Sequence, residues 1–132
     1  MDIKIFLLVY ILQLILTLPD FVNTCSKLDL QTWTIYLTHH AYDVLLFWAP
    51  LFLRTRTEFI VHIVIVLLTA IHWFMNNNTC VATVIMNRIC GYREDDWLPS
   101  LKNMLGLRAL SENFHFIWVG GIVAWELFKL SA

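Results

Sequence analysis

The chain has 132 residues, of which 59% are hydrophobic and 14% are charged, and its formal net charge is −1. Soluble domains are about 45–50% apolar and about 25% charged, so this composition excludes an ordinary soluble core. The near-neutral charge also excludes nucleic acid as an electrostatic partner, since that interaction needs a basic patch. The length fits a single domain, residues 1–132, and the composition indicates a lipid bilayer as its surroundings.

The first apolar segment occupies residues 1–24 and has two interpretations. It is short for a membrane span, which needs about 20 apolar residues, and Gln13, Thr17 and Pro19 interrupt it. Lys4 and the residues just before Cys25 fit a cleaved secretory signal. The interpretation we favour is a retained, tilted first helix. The predicted number of spans is therefore four, or three after cleavage.

Three later segments are long and apolar enough to be membrane helices: 31–53, 57–75 and 111–130. Trp33 lies at the start of the first of them, as an interfacial aromatic belt would, and Pro50 lies near its end. The short turn Arg54–Arg56 predicts that the next helix returns antiparallel. Ser111 is the predicted N-cap of the last span. The predicted fold class is thus an all-α integral membrane bundle.

Residues 76–110 form a polar, extramembrane or interfacial segment between the last two spans. Four aliphatic residues within it recur at helical spacing: Val81, Val84, Ile85 and Ile89. This pattern predicts a short amphipathic helix that lies on the bilayer. Asn78 or Thr79 is its predicted N-cap, and Gly91 is its predicted end.

Four spans place both termini and the Arg54–Arg56 turn on one side of the membrane, and all three cysteines on the other. The positive charges do not decide which side is inside. A glycosylation sequon begins at Asn77, and cysteines gathered on one side suit an oxidising compartment. We therefore predict that the cysteine side is extracytoplasmic or lumenal.

A disulfide on that side would use Cys25. Within one helix, Cys80 and Cys90 are separated by about 15 Å of rise, which exceeds the reach of a disulfide. A disulfide would therefore join Cys25 to one of them and leave one thiol free. We interpret Cys80 as a structural cysteine, because no base is near it in the sequence and no catalytic motif surrounds it.

Ionisable residues lie inside the predicted spans, where each is a functional-site hypothesis because its burial in lipid is costly. The hairpin register puts His40 at the depth of His72, and His115 enters the last span from the same side. Asp43 follows His39 and His40 by four and three residues, close enough to orient an imidazole. We predict one polar cluster from these residues. Its histidines could hold a haem or a metal ion, or could simply form hydrogen bonds between helices.

The last span carries two further patterns. Gly120, Gly121 and Ala124 form a small-xxx-small face, which favours close contact between membrane helices. Glu126 and Lys129 are three residues apart near the other surface, and we predict a plain surface pair.

The motif Cys80-x-x-Thr83-x-x-x-Asn87 places three polar residues on one stripe of a helix. With His40 and His62 before it, this order resembles a family of small polytopic membrane proteins of unknown function, over residues 31–130. The family motif reads Trp-x-Cys-Pro-Leu-Thr-x-Leu-Glu-Asn. The matching positions here are Cys80, Thr83, Ile85 (for Leu) and Asn87. The departures are Val81, Ala82 and Met86 in place of Pro, Leu and Glu, and the lost carboxylate weakens any inherited catalytic role. A fainter similarity is to short membrane proteins of large DNA viruses.

Neither resemblance implies an activity, so the function is predicted from the chain itself. The leading hypothesis is a non-enzymatic structural or assembly protein of an organelle or virion membrane, without a cofactor. Its partners would be the bilayer and other membrane subunits or a second copy. One alternative is a haem- or metal-binding redox protein that uses His40, His72 and His115. A second is a small enzyme acting on lipid, with His40, Asp43 and Cys80 at the interface.

Overall fold

The fold is entirely helical in the part of the chain that this computed structural model describes, residues 1–77, 79–91 and 114–131. Its α-helices are α1 (Ile3–Thr24), α2 (Leu30–Trp48), α3 (Arg56–Met75), α4 (Val81–Cys90) and α5 (Phe114–Ser131). The predicted all-α class is confirmed. Ser111, the predicted N-cap of the last span, lies outside the described residues.

Side-chain caps fix where the first three helices begin. Asp2 accepts hydrogen bonds from the backbone N–H groups at the start of α1, and Asp29 accepts one from Thr32 N–H at 2.9 Å. At α3, Thr55 accepts from Glu58 N–H at 3.3 Å, and the Glu58 carboxylate accepts from Thr55 N–H at 3.0 Å. This reciprocal arrangement is a capping box, which satisfies backbone donors that would otherwise have no partner.

Helix α2 ends before the predicted boundary. The predicted span 31–53 is wrong in its last residues, because the α-helix stops at Trp48 and a single 3₁₀ turn, Ala49–Leu51, follows. Pro50 explains the change, since it has no N–H to donate and its ring clashes with the preceding helical turn. The chain then closes on itself, with Phe52 N–H and Leu53 N–H both donating to the Ala49 carbonyl at 3.0 and 2.9 Å.

Helix α2 is central to the bundle. It packs against α1, α3, α4 and α5, and α3 also packs against α5. The start of α1 reaches the turn between α2 and α3, where Asp2 N–H donates to the Phe52 carbonyl at 2.7 Å. At the opposite end a disulfide joins Cys25 to Cys90. The expected use of Cys25 in a disulfide is confirmed, and Cys80 is a free cysteine.

Helix α4 forms where the amphipathic pattern predicts it. Gly91 ends it in the left-handed conformation, with φ of 77°, as predicted. The predicted cap is wrong for Thr79, because Cys80 occupies the N-cap position and makes no side-chain capping bond; Asn78 lies outside the described residues. Thr83 and Asn87 are buried, while Val81 and Ile85 are exposed.

The arrangement seen in α4, with polar side chains inside and apolar side chains outside, recurs in the rest of the described bundle. Nine polar or charged side chains are buried: Gln13, Thr17, Thr32, His40, His62, Thr69, Thr83, Asn87 and Glu126. The outer surface instead carries large apolar side chains along every α-helix, such as Leu8 and Leu68. In the described part of the chain, α1 and α3 are long and apolar enough to cross a membrane, and α1 lies near the N-terminus, where a signal sequence would also lie.

Candidate functional site

His40 joins α2 to α1 through a buried hydrogen-bond network. Its Nδ1 lies 2.8 Å from Gln13 Nε2, and its Nε2 lies 3.3 Å from Thr17 Oγ1. Thr17 donates its own hydroxyl hydrogen to the Gln13 carbonyl at 2.9 Å and accepts from the Tyr36 hydroxyl at 2.6 Å. Since Thr17 has no second hydrogen, we assign the proton of neutral His40 to Nε2, with Nδ1 accepting from Gln13. Both ring nitrogens are therefore used in packing α1 on α2.

Asp43 lies between two imidazoles, as its spacing predicts. Its Oδ2 is 3.8 Å from His39 Nδ1 and 3.8 Å from His40 Nδ1. A carboxylate at this separation attracts a protonated His39 ring, whereas neutral His40 uses its Nδ1 to accept from Gln13. The predicted grouping of His39, His40 and Asp43 is therefore present in the structure.

The third member of this group is Cys80, which the sequence does not place near a base. Interactions with His39 and with the backbone N–H groups of Ala82 and Thr83, at the start of α4, set the pKa of the Cys80 thiol. Burial raises the pKa of the Cys80 thiol. The hydrogen bond and positive charge of His39, with the two amide groups, outweigh burial and lower that pKa below its ordinary value. A lowered pKa increases the fraction of nucleophilic thiolate.

A small cavity of about 10 Å³ lies beside His39. It is lined by Ile35, Tyr36, His39, Ala82, Thr83 and Met86. The Thr83 hydroxyl is buried and has no hydrogen-bond partner among the described residues. A cavity of this size has room for about one water molecule. The imidazole of His39 thus adjoins an internal space that also contains the unpartnered Thr83 hydroxyl.

The other predicted cofactor residues behave differently. His72 is exposed, and its Nε2 accepts a hydrogen bond from Val81 N–H at 3.4 Å at the start of α4. The side chain of His115 lies outside the described residues. Within the described ranges, no group of three or more His, Cys, Asp and Glu side chains could hold a metal ion. Binding of haem or metal by His40, His72 and His115 stays a prediction.

A second buried histidine–carboxylate pair joins α3 to α5. His62 Nδ1 lies 2.7 Å from Glu126 Oε1, and both side chains are buried. The predicted surface pair of Glu126 with Lys129 is therefore wrong. Lys129 instead lies over the ring of Trp125, 5.5 Å from its centroid. Spacing within one helix identifies neighbours on that helix, but it does not show which face another helix covers.

The small-residue face of α5 points away from the rest of the described bundle. A Cβ atom added at Gly120 or Gly121 would meet nothing within 4 Å, and Ala124 is exposed. The buried face, which includes Ile122 and Glu126, lies on the opposite side of the helix. Asn77 is also exposed and has φ of 51°, although its sequon continues through a residue outside the described part.

Comparison with known proteins finds no match to this chain among family models, curated proteins or solved structures. The resemblance carried by Cys80, Thr83 and Asn87 therefore rests on the sequence motif alone and stays a prediction.

Proposed function

We propose that this chain is a multi-pass membrane protein of four membrane helices, α1, α2, α3 and α5, that functions by assembling with other membrane helices. The observation that carries the proposal is the open small-residue face of α5 at Gly120, Gly121 and Ala124. Small residues let helix backbones approach closely, and this approach drives association in lipid. In the described part of the chain, no neighbouring group lies within 4 Å of a Cβ atom added at Gly120 or Gly121.

The distribution of polar groups supports the membrane part of the proposal. In water, burial of apolar side chains drives folding, yet this bundle buries residues such as Gln13 and Glu126 and exposes Leu8, Leu68 and Phe128. In lipid, exposed apolar side chains cost nothing, and polar groups are best satisfied inside. Hydrogen bonds from α1 to His40 support a retained first helix, because a cleaved signal would take Gln13 and Thr17 with it.

The disulfide supports the orientation. Disulfides persist in oxidising compartments and are rare in the cytosol, so the Cys25–Cys90 end is extracytoplasmic or lumenal in this proposal. The arginine turn and the C-terminal end of α5 then face the cytoplasm. Labelling with a membrane-impermeant maleimide tests this orientation. A single cysteine introduced at Arg54 probes the side opposite the Cys25–Cys90 disulfide.

Photo-crosslinking in native membranes tests the assembly proposal. A photoreactive amino acid at Ala124 is expected to give an adduct of discrete mass, either a dimer or a complex with another subunit. The same amino acid at Leu68, which faces outward from α3, is expected to give lipid adducts only.

Paired substitutions provide the control. Gly120→Leu is expected to abolish the adduct from position 124, because the bulky side chain separates the backbones, whereas Gly120→Ala keeps the face small and retains most of it. Equal adducts from positions 124 and 68, or an adduct indifferent to Gly120→Leu, would contradict assembly through α5.

A further inference from the structure

Three groups that act together in nucleophilic chemistry meet at one end of the bundle. Cys80 supplies a thiol at the start of α4, and His39 supplies an imidazole from α2 that lines one cavity with Ala82 and Thr83, the second and third residues after Cys80. Asp43, one turn further along α2, lies 3.8 Å from the Nδ1 of His39. A nucleophile, an adjacent base and a group that orients the base make up the arrangement by which thiols are activated.

The surroundings of the thiol provide an independent observation. Thr83 is only 2% exposed, and its buried hydroxyl has no hydrogen-bond partner within the described residues. Buried polar groups are nearly always satisfied, so a buried hydroxyl without a partner needs an explanation. Thr83 and His39 line the same cavity. A carbonyl oxygen of a bound substrate would give the Thr83 hydroxyl its acceptor.

We propose that Cys80 is an acyl-accepting nucleophile that takes a long-chain fatty-acyl group from a thioester donor, with His39 as its base. Asp43 is a positioning residue that acts through His39. This role is separate from assembly through α5 and uses different helices.

The reaction is a transthioesterification and involves no oxidation or reduction. Before attack, the proton of the Cys80 thiol is already held by His39 in a thiolate–imidazolium pair, and we assign it to Nε2 because Nδ1 faces Asp43. Sγ then bonds to the carbonyl carbon of the donor thioester, and the developing oxyanion is stabilised by backbone N–H groups of Ala82 and Thr83. The carbon–sulfur bond to the donor breaks, and the proton held by His39 leaves with the donor thiol. The products are S-acyl Cys80 and the free donor thiol.

The position of Cys80 favours a long acyl chain. Cys80 directly follows the end of a long apolar helix, where Phe74 and Met75 are 79% and 80% exposed. Val81 and Ile85 on the next helix are also exposed. These side chains flank Cys80 in the chain and provide exposed apolar surface on either side of it. Each buried CH₂ of a fatty chain contributes about 0.8 kcal/mol to membrane binding, so a long-chain donor would concentrate there.

The test uses the full chain in lipid nanodiscs, with its disulfide intact, incubated with palmitoyl-coenzyme A. Intact-mass measurement is expected to show one palmitoyl group per chain, removable by neutral hydroxylamine and mapped to Cys80. Acetyl-coenzyme A is expected to react more slowly at equal concentration. Equal rates with both donors would overturn the assignment of a long-chain substrate.

Variants separate the chemistry from structure. His39→Gln is expected to slow acylation by about 100-fold, the lower end of what a general base contributes. Asp43→Asn is expected to slow it less and to move the midpoint of its pH profile. Gln13→Leu is the matched control, because it disturbs the neighbouring His40 network and is expected to leave that midpoint unchanged. A shift of equal size in Gln13→Leu would show that Asp43 has only a structural role.

The wild-type protein also tests the proposal, so the outcome does not depend on whether a variant folds. Its acylation rate is compared with that of a short peptide containing one cysteine, in the same nanodiscs and at the same pH. A rate no higher than that of the peptide, or a palmitoyl group on a residue other than Cys80, would overturn the proposal. Neither result bears on assembly, since photo-crosslinking from Ala124 does not involve Cys80.

Discussion

The two ends of the bundle use the same residue types in different ways. At the arginine end, near the Arg54–Arg56 turn, His62 and Glu126 form a direct 2.7 Å contact between two helices, α3 and α5. At the cysteine end, near the Cys25–Cys90 disulfide, Asp43 lies 3.8 Å from each of two histidines on its own helix. A close, fully buried pair stabilises the contact between its helices. Each end leaves buried polar atoms without a hydrogen-bond partner among the described residues: His62 Nε2 and Glu126 Oε2 at the arginine end, and the Thr83 hydroxyl at the cysteine end. Only the cysteine end also has a free thiol in the described chain.

The first test of this comparison removes the Cys25–Cys90 disulfide, a covalent link that only the cysteine end has in the described chain. Replacing Cys25 and Cys90 together with serine removes a link between residues 65 positions apart. The chain-entropy relation gives a loss of about 4 kcal/mol in unfolding free energy for a loop of this length. Unfolding in mixed detergent micelles measures it. Cys80→Ser, which leaves the disulfide intact, serves as the control, and equal stability of both proteins with wild type would contradict the prediction.

The arginine end is tested by separating its pair. Glu126→Leu leaves His62 buried beside an apolar side chain and is expected to cost about 3 kcal/mol of unfolding free energy. The double variant His62→Leu, Glu126→Leu is expected to recover much of this loss, because no buried polar group is left without its partner. Lys129→Ala on the same helix is the control, with an expected change under about 0.5 kcal/mol. Additive losses in the double variant would contradict the coupling.

A smaller change is expected in the link between α1 and α2. Gln13→Leu removes the partner of His40 Nδ1 and is expected to cost about 1 kcal/mol, the net value of a typical hydrogen bond. Thermal unfolding in nanodiscs measures the loss. Leu16→Val, at an outward-facing position of α1, is the control. If the two variants lose equal stability, α1 is not held by this network.

The smallest effect on stability, and the most specific to the cysteine end, concerns the thiol itself. The rate of Cys80 alkylation by iodoacetamide is expected to reach half its maximum below pH 9.0, the ordinary pKa of a cysteine thiol. His39→Gln is expected to move this midpoint upward, because it removes the hydrogen-bond donor and the positive charge. Since the pKa is lowered on folding, the thiolate contributes stability above pH 9.0 that is lost as pH falls through the folded-state pKa. A midpoint unaffected by His39→Gln would contradict the contact.

The sequence predicted the features that depend on neighbours along the chain. The α-helical class, the Gly91 helix end, the tight turn before α3 and the grouping of Asp43 with His39 all follow from local spacing. The early end of α2 also has a local cause in Pro50, but the apolar run continues past the proline and hides it.

The features that the sequence did not predict depend on how helices rotate against each other. Gln13 and Thr17 appeared as interruptions of an apolar segment, yet they are the partners of His40. Glu126 appeared as a surface residue near Lys129, yet it faces His62 on another helix. The base for Cys80 comes from α2, 41 positions earlier in the chain, by the numbering of His39 and Cys80. Apolar side chains cover the outside of these helices, so hydrophobic periodicity does not identify the inner face.

The outward apolar surface has a consequence for how stability varies with temperature. The large heat-capacity change of unfolding in soluble proteins comes from apolar groups that become exposed to water. Here residues such as Leu8, Leu68 and Phe128 already face outward in the native bundle, and in a bilayer they would stay in lipid after the helices separate. We therefore expect a small heat-capacity change and a nearly straight dependence of the unfolding free energy on temperature. The bundle would then lose little stability on cooling, because its apolar side chains would not become exposed to water when the helices separate.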